Sequence, residues 1–131
     1  MSSERPRVMV LSIGQCRPDQ AAITHYLTRN FAVDVLTADR AADAMRILES
    51  QPVGLILINR KLDADYSDGL DMLPAIRAIE SAASTPVMLV SNFPEWQEKA
   101  VALGTVHGFG KAQLNSPATK ETLASYLPTL Q

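Results

Sequence analysis

The chain has a single cysteine, Cys16, among its 131 residues. An internal disulfide is therefore excluded, and the composition suits a reducing cytosol. No apolar run approaches the roughly 20 residues of a membrane span, and the N-terminal MSSERPR lacks the apolar core of a signal peptide. A cytoplasmic, soluble protein with no membrane association is the expectation. Net charge is only −2, with no basic arm or tail, so there is no electrostatic footprint for nucleic acid. Also missing are a glycine-rich phosphate loop, a Ser-His-Asp set and zinc-ligand spacing, which puts an enzyme last among the readings.

What is present is an ordinary globular composition, 47% hydrophobic and 20% charged. That suffices for a core without metal or disulfide staples. One domain over residues 1–131 is expected, with its core over about 7–128 and no output domain. Arg7 to Ile13 reads as a first strand. Pro18 suits the first turn of a helix, with Asp19 favourably placed on its dipole and an apolar stripe of Ala22, Ile23, Tyr26 and Leu27. Phe31 to Thr37 is a second strand. Asp39 is placed to cap a helix through about Gln51, buried through Ala41, Ala44, Met45 and Leu48. Leu55 to Ile58 is a short continuous apolar run after Gly54, the pattern of a strand buried on both faces, and it ends at Asn59.

An acid-rich loop follows, then a helical pattern from Gly69 to Ile79 with Pro74 inside it. Proline is harmless only in a first turn, so the regular helix is expected to begin near Asp71 or to kink at Pro74. Val87 to Val90 forms a fourth strand ending in Ser91 and Asn92. Asn92 is placed to cap a helix carrying Trp96, Ala100 and Leu103, which stops at Gly104. Thr105 to Phe109 is a short fifth strand. Ser116 caps a last helix with Pro117 at its first position, packed through Leu123, Tyr126 and Leu127. Strand and helix alternate throughout with short connections. The pattern predicts an α/β fold, a doubly wound five-stranded parallel sheet with helices on both faces. In such sheets chemistry gathers at the carboxyl ends of the strands, where Asn59 stands.

In this order, four segments resemble the response regulator receiver domain of two-component signalling. GLILIN resembles the strand that ends in the phosphorylated aspartate, and GLDMLPAIR the helix after it. PVMLVSN resembles the fourth strand with its terminal Ser or Thr, and the stretch from ALG to Lys111 resembles the segment ending in the family's lysine. The resemblance covers nearly the whole chain and implies the flavodoxin-like (βα)5 fold with strand order 2-1-3-4-5. Carried over residue by residue, it places the phospho-acceptor at Asn59. An amide is not a nucleophile and cannot form an acyl phosphate. The family's acidic pair falls on Gly14 and Gln15, or on Ser12 and Ile13 in another alignment of the turn. Neither pair supplies the carboxylates Mg²⁺ needs, so no metal and no cofactor is expected. Ser91 and Lys111 match the switch hydroxyl and the lysine. Ala112 replaces the family's proline after Lys111, so a trans peptide is expected there. Phe109 is nearest to the switch aromatic, one place out of register.

The resemblance therefore implies an atypical, phosphorylation-independent receiver (a pseudo-receiver) acting by protein–protein contact. The implied partner is a sensor histidine kinase, another signalling protein, or a second copy. Receivers commonly dock or dimerise through the face made by the fourth helix, fifth strand and fifth helix. Phe93, Trp96 and Phe109 are the candidate interface residues there, and an exposed Trp96 would be informative. Asn59, Ser91 and Lys111 are expected to form a hydrogen-bonded cluster without phosphate.

Two alternatives stand beside this reading: a small-molecule sensor with a neutral or anionic ligand between Gly14, Asn59 and Ser91, and a receiver phosphorylated at a non-standard residue. Asp63, Asp65, Asp68 and Asp71 resemble a calcium loop, but the third acid comes one residue late and the terminal glutamate is missing. Helix capping by Asp68 or Asp71, with the others in water, is the preferred account. His25 and His107 lack metal-ligand spacing. Cys16 reads as a small buried residue rather than a redox group. A flavin protein of this topology needs a Ser/Thr/Gly loop after the first strand, where Ile13 to Arg17 offers one glycine and no hydroxyl.

Overall fold

The computed structural model describes residues 7–130. The elements run β1 (Val8–Ile13), α1 (Arg17–Asn30), β2 (Val33–Ala38), α2 (Ala41–Ser50), β3 (Leu55–Asn59), α3 (Leu73–Ala78), β4 (Val87–Val90), α4 (Pro94–Ala102), β5 (Val106–Phe109) and α5 (Pro117–Ala124). The five strands form one parallel sheet in the order β2-β1-β3-β4-β5, the flavodoxin-like arrangement expected from the sequence. Among the described residues, no helix is long and apolar enough to cross a membrane.

β3 explains why the sheet needs two covering layers. Leu55 to Ile58 are all fully buried, and their side chains alternate between faces. Leu55 and Leu57 join Ile23, Leu27 and Leu123 under α1 and α5. Ile56 and Ile58 join Leu48, Ile76 and Ala100 under α2, α3 and α4. Polar Asn59 ends the run where the strand leaves the core.

Helix starts follow local chemistry with two corrections. Ser116 caps α5 by accepting the Ala118 N–H, with Pro117 next. Pro74 lies in the first turn of α3, after a 3-10 turn over Gly69–Met72, so no kink is needed. The N-cap of α2, however, is Arg40 rather than Asp39, without a side-chain cap bond. β2 runs through Ala38, whose carbonyl accepts the Gly14 N–H at 2.8 Å, and Asp39 falls in the turn. Likewise Phe93, not Asn92, is the N-cap of α4.

Three expected packing positions also differ. Ala22 and Leu103 are exposed, and Tyr126 is 36% exposed. The inward positions of α4 are Gln97 and Ala100, with Trp96 partly buried against the core, so of the Trp96–Ala100–Leu103 stripe only Leu103 faces outward. Its end follows expectation: Gly104 sits at φ +110, the left-handed stop that favours glycine. The Lys111–Ala112 peptide is trans, as are all others in the described residues.

Candidate functional site

The carboxyl ends of β1, β3, β4 and β5 bring Gly14, Asn59, Ser91 and Lys111 to one edge of the sheet, but the expected cluster does not form. Asn59 Nδ2 donates to the Gly14 carbonyl at 3.0 Å. Ser91 Oγ accepts the Phe93 N–H at 3.3 Å. Lys111 Nζ pairs with Asp19 Oδ2 at 2.8 Å. The physical reason is charge: a lysine with no carboxylate on β3 pairs with the acid that α1 presents beside it. Asp19 also accepts the Cys16 thiol at 3.1 Å. The Lys111 hydrogen bond, and after it that of Cys16, holds the Asp19 carboxyl below its ordinary value. Cys16 is half-buried rather than buried. From sequence, Asp19 showed only as a dipole partner; the signal available was that no acid ends β1 or β3.

The turn after β1, where the resemblance would put an acidic pair, is closed by packing. Gly14 has φ +77, and a side chain there would overlap Leu62, which is fully buried. Leu62 is drawn in by the loop that follows β3. Lys61 and Asp68 form an antiparallel bridge, Leu62 N–H donates to the Ser67 carbonyl at 2.9 Å, and Gly69 N–H donates to the Arg60 carbonyl at 2.7 Å. Asp63 N–H donates to the Gly14 carbonyl at 2.9 Å, so that oxygen receives two donors. Gln15 is buried, with neither amide atom partnered, and Ser12 Oγ is also unpartnered. With no carboxylate at 14, 15 or 59 and Leu62 in the space, the residues do not fit a magnesium ion.

The acidic loop behaves as caps and solvated groups. Asp68 accepts the Leu70 N–H at 3.0 Å. Asp65 accepts from Ser67 Oγ at 2.6 Å and Ser67 N–H at 3.0 Å, the bonds that hold its carboxyl below the usual range. Asp63 and Asp71 are exposed. Among the described residues no three metal-ligating side chains gather. His25 and His107 are exposed on α1 and β5, apart from the site.

Beside this edge lies a groove of about 750 Å³ between α4, β5 and α5, lined by Pro94, Val101, Gly108, Ala112, Ala118 and Thr122 among others. Its floor depends on Gln97, which the sequence reading missed. The Gln97 side chain is buried, donates to the carbonyls of Leu89 (2.9 Å) and Ser91 (3.2 Å), and accepts the Gly108 N–H (2.9 Å). β5 bulges here: Met88 pairs with Val106 but Val90 with Phe109. The amide of Gln97 stands in for the ladder bonds the bulge breaks. A Cβ at Gly108 would overlap the Leu89 carbonyl oxygen, so only glycine fits.

The three interface candidates separate. Phe93 is 58% exposed. Trp96 is half-buried, with the Arg60 guanidinium 4.1 Å and the Lys99 ammonium 4.4 Å from its ring centroid. Phe109 is buried at 5% exposure, because its pairing with Val90 turns the ring into the layer under α1 and α5. It nonetheless lines the groove between α4, β5 and α5.

No family model matches the sequence, and no curated protein does. Solved structures do. The chemotaxis response regulator CheY4 of Vibrio cholerae matches with a TM-score of 0.71 at 19% identity, over 93% of this chain and 100% of that one. A response regulator receiver protein from Pseudomonas putida matches at 0.66 and 25% identity, over 94% and 97%. The receiver domain of a sensor histidine kinase from Pseudomonas aeruginosa, whose active-site cleft coordinates a magnesium ion, matches at 0.69 and 19% identity, over 92% and 98%. The fold of this chain is that of response regulator receiver domains.

Proposed function

We propose that this chain is an atypical receiver of two-component signalling, a cytoplasmic non-enzyme that works without phosphate at position 59. It acts by docking a sensor histidine kinase or another signalling protein on the α4–β5–α5 face, where two copies could also pair. One observation carries the reading: the nucleophile position holds an amide bonded to Gly14, while the α4–β5–α5 groove is held open by buried hydrogen bonds from Gln97.

The test is labelling with radioactive acetyl phosphate and Mg²⁺, or with a partner kinase and ATP. No stable label is expected. A stable label that disappears in Asp63→Asn or Asp65→Asn would overturn phosphate independence. Calorimetry against the kinase, with light scattering for self-association, then distinguishes the two kinds of partner.

A further inference from the structure

The loop after β3 and the helix α4 bring two cations onto one ring. Trp96 is half-buried against the layer under α2, α3 and α4. The Arg60 guanidinium stands 4.1 Å and the Lys99 ammonium 4.4 Å from its ring centroid, so the two cations lie no farther apart than those distances combined. Neither pairs with a carboxylate among the described residues. Glu95 and Glu98 share the helix with Lys99, are exposed, and make no ion pair with it. The face of the indole offsets only part of the repulsion between like charges held this close. Phe93, the N-cap residue one turn before Trp96, adds an apolar rim at 58% exposure.

The tip of the same loop carries the opposite charge. Beyond the Lys61–Asp68 bridge, Asp63, Asp65 and Tyr66 are exposed, and Tyr66 at 76% is the most exposed large hydrophobic side chain among the described residues. Tyr66 has φ +59, a left-handed conformation that costs a non-glycine residue free energy. Its N–H bond to the Leu62 carbonyl at 2.8 Å and the two bonds from Ser67 to Asp65 hold the turn there. Asp65 gives Oδ1 to Ser67 and keeps Oδ2, while Arg40 acts on it from beyond ion-pair distance. Neither Asp63 nor Asp65 forms an ion pair among the described residues. The tip leans over the end of β1, where Asp63 N–H meets the Gly14 carbonyl, whereas Arg60 meets Trp96 on α4, past β4. β3 lies between β1 and β4 in the sheet, so acid and cation stand on opposite sides of one strand end.

We propose that two copies of this chain pair across this edge, the acidic tip of each resting on the Arg60–Trp96–Lys99 patch of the other. A half-turn about an axis near the end of β3 exchanges the two sides, so one contact is made twice, as an isologous interface requires. Asp63 and Asp65 supply the anions that the two cations lack, in charge-assisted bonds. Tyr66 brings its ring to Phe93, so the two most exposed aromatic side chains among the described residues cover each other. Tyrosine, tryptophan and arginine are also the residue types that carry most interface energy. Trp96 packs on the α2–α3–α4 layer, so this surface is not the α4–β5–α5 groove and stands apart from the function proposed above.

Sedimentation velocity of the full chain over a concentration series, at low and high salt, tests it. A monomer–dimer equilibrium is expected, weakened about tenfold at high salt. Arg60→Glu with Lys99→Glu in one chain, and Asp63→Lys with Asp65→Lys in another, should each give monomers. Mixed in equal amounts, the two variants should dimerise about as tightly as the wild type, because every contact then regains opposite charges. Misfolding does not produce that rescue. Lys99→Glu alone, on an exposed side chain, serves if the first variant unfolds, and Tyr66→Ser, expected to weaken pairing about tenfold, serves if the second does. A chain that stays monomeric at every concentration, a dimer untouched by either reversal, or a mixture that stays monomeric would overturn the proposal. So would a dimer lost in Val101→Glu but kept in the charge variants, which would place self-association on α4–β5–α5.

Discussion

The carboxyl end of β3 and the groove along β5 sit at the same edge of one sheet, yet the chain treats them in opposite ways. At β3 the space for a charged side chain is filled: Gly14 has no side chain, Leu62 is buried over it, and the Gly14 carbonyl takes donors from Asn59 and Asp63. At β5 space is kept open, and a buried glutamine amide bridges the gap left by a bulge. On the function proposed above, filling one and propping open the other would separate phosphoryl chemistry from a docking surface within one fold. The edge at β3 is closed by a leucine over a glycine, while the groove at β5 keeps its polar scaffold.

The sharpest way to break this contrast is Gln97→Ala. Three buried backbone groups would lose their partner, each worth about 1–3 kcal/mol when left unmade. Water entering from the groove offsets part of this, so a loss of roughly 3 kcal/mol is expected from the urea midpoint. A loss below about 1 kcal/mol would mean the amide is ornamental to the groove. Next comes Gly14→Asp, which puts an acid into the closed turn. Positive φ and displacement of Leu62 should together cost about 2 kcal/mol, and melting with and without Mg²⁺ should coincide. A melting temperature raised by Mg²⁺ would show that the closed site reopens at little cost.

Asp19→Asn probes the ion pair between the two regions. Its side chain is 37% exposed, so screening holds the effect below about 1 kcal/mol at neutral pH. The Asp19 carboxyl is lowered in the folded protein from an ordinary value of 3.8. Its contribution is therefore complete above that value and is lost as pH falls through the lower folded one. The stability gap between wild type and variant should vanish in acid, as denaturation at a series of pH values would register; a gap that persists there would assign the effect to packing. Smallest in stability is Val101→Glu in the groove wall, where the residue is 46% exposed. A change within about 0.5 kcal/mol is expected, together with loss of partner binding in calorimetry. Retained binding would move the docking surface elsewhere.

Much of the fold was legible because it rests on local signals. The apolar run of β3, the Ser116–Pro117 start of α5 and the Gly104 stop of α4 each declare themselves within a few residues. The absence of a carboxylate at positions 14, 15 and 59 was legible too, since Gly14, Gln15 and Asn59 are read directly. What took its place was not. Asp19 meets Lys111 only because α1 and β5 converge on the edge of the sheet. Leu62 covers Gly14 only because the loop closes through the Lys61–Asp68 bridge. Gln97 looks like a surface residue of α4 until the bulge in β5 gives its amide something to bond. Asp39 failed as a cap because one more strand residue, Ala38, keeps its bond to Gly14.

A single-base change separates asparagine from aspartate codons, so an aspartate at position 59 looks close at hand. The Asn59 amide makes it a poor step. A carboxylate there would set an oxygen against the Gly14 carbonyl where Nδ2 now donates, turning a hydrogen bond into a meeting of two acceptors. Arg60, Lys61 and Lys111 line the same cavity as Asn59 and could offset part of that, but a metal site would still need Leu62 to move out and an acid at position 14, where φ is positive. Positions 14, 59 and 62 are thus coupled, and the bond from Asn59 to Gly14 sets the order in which they could change.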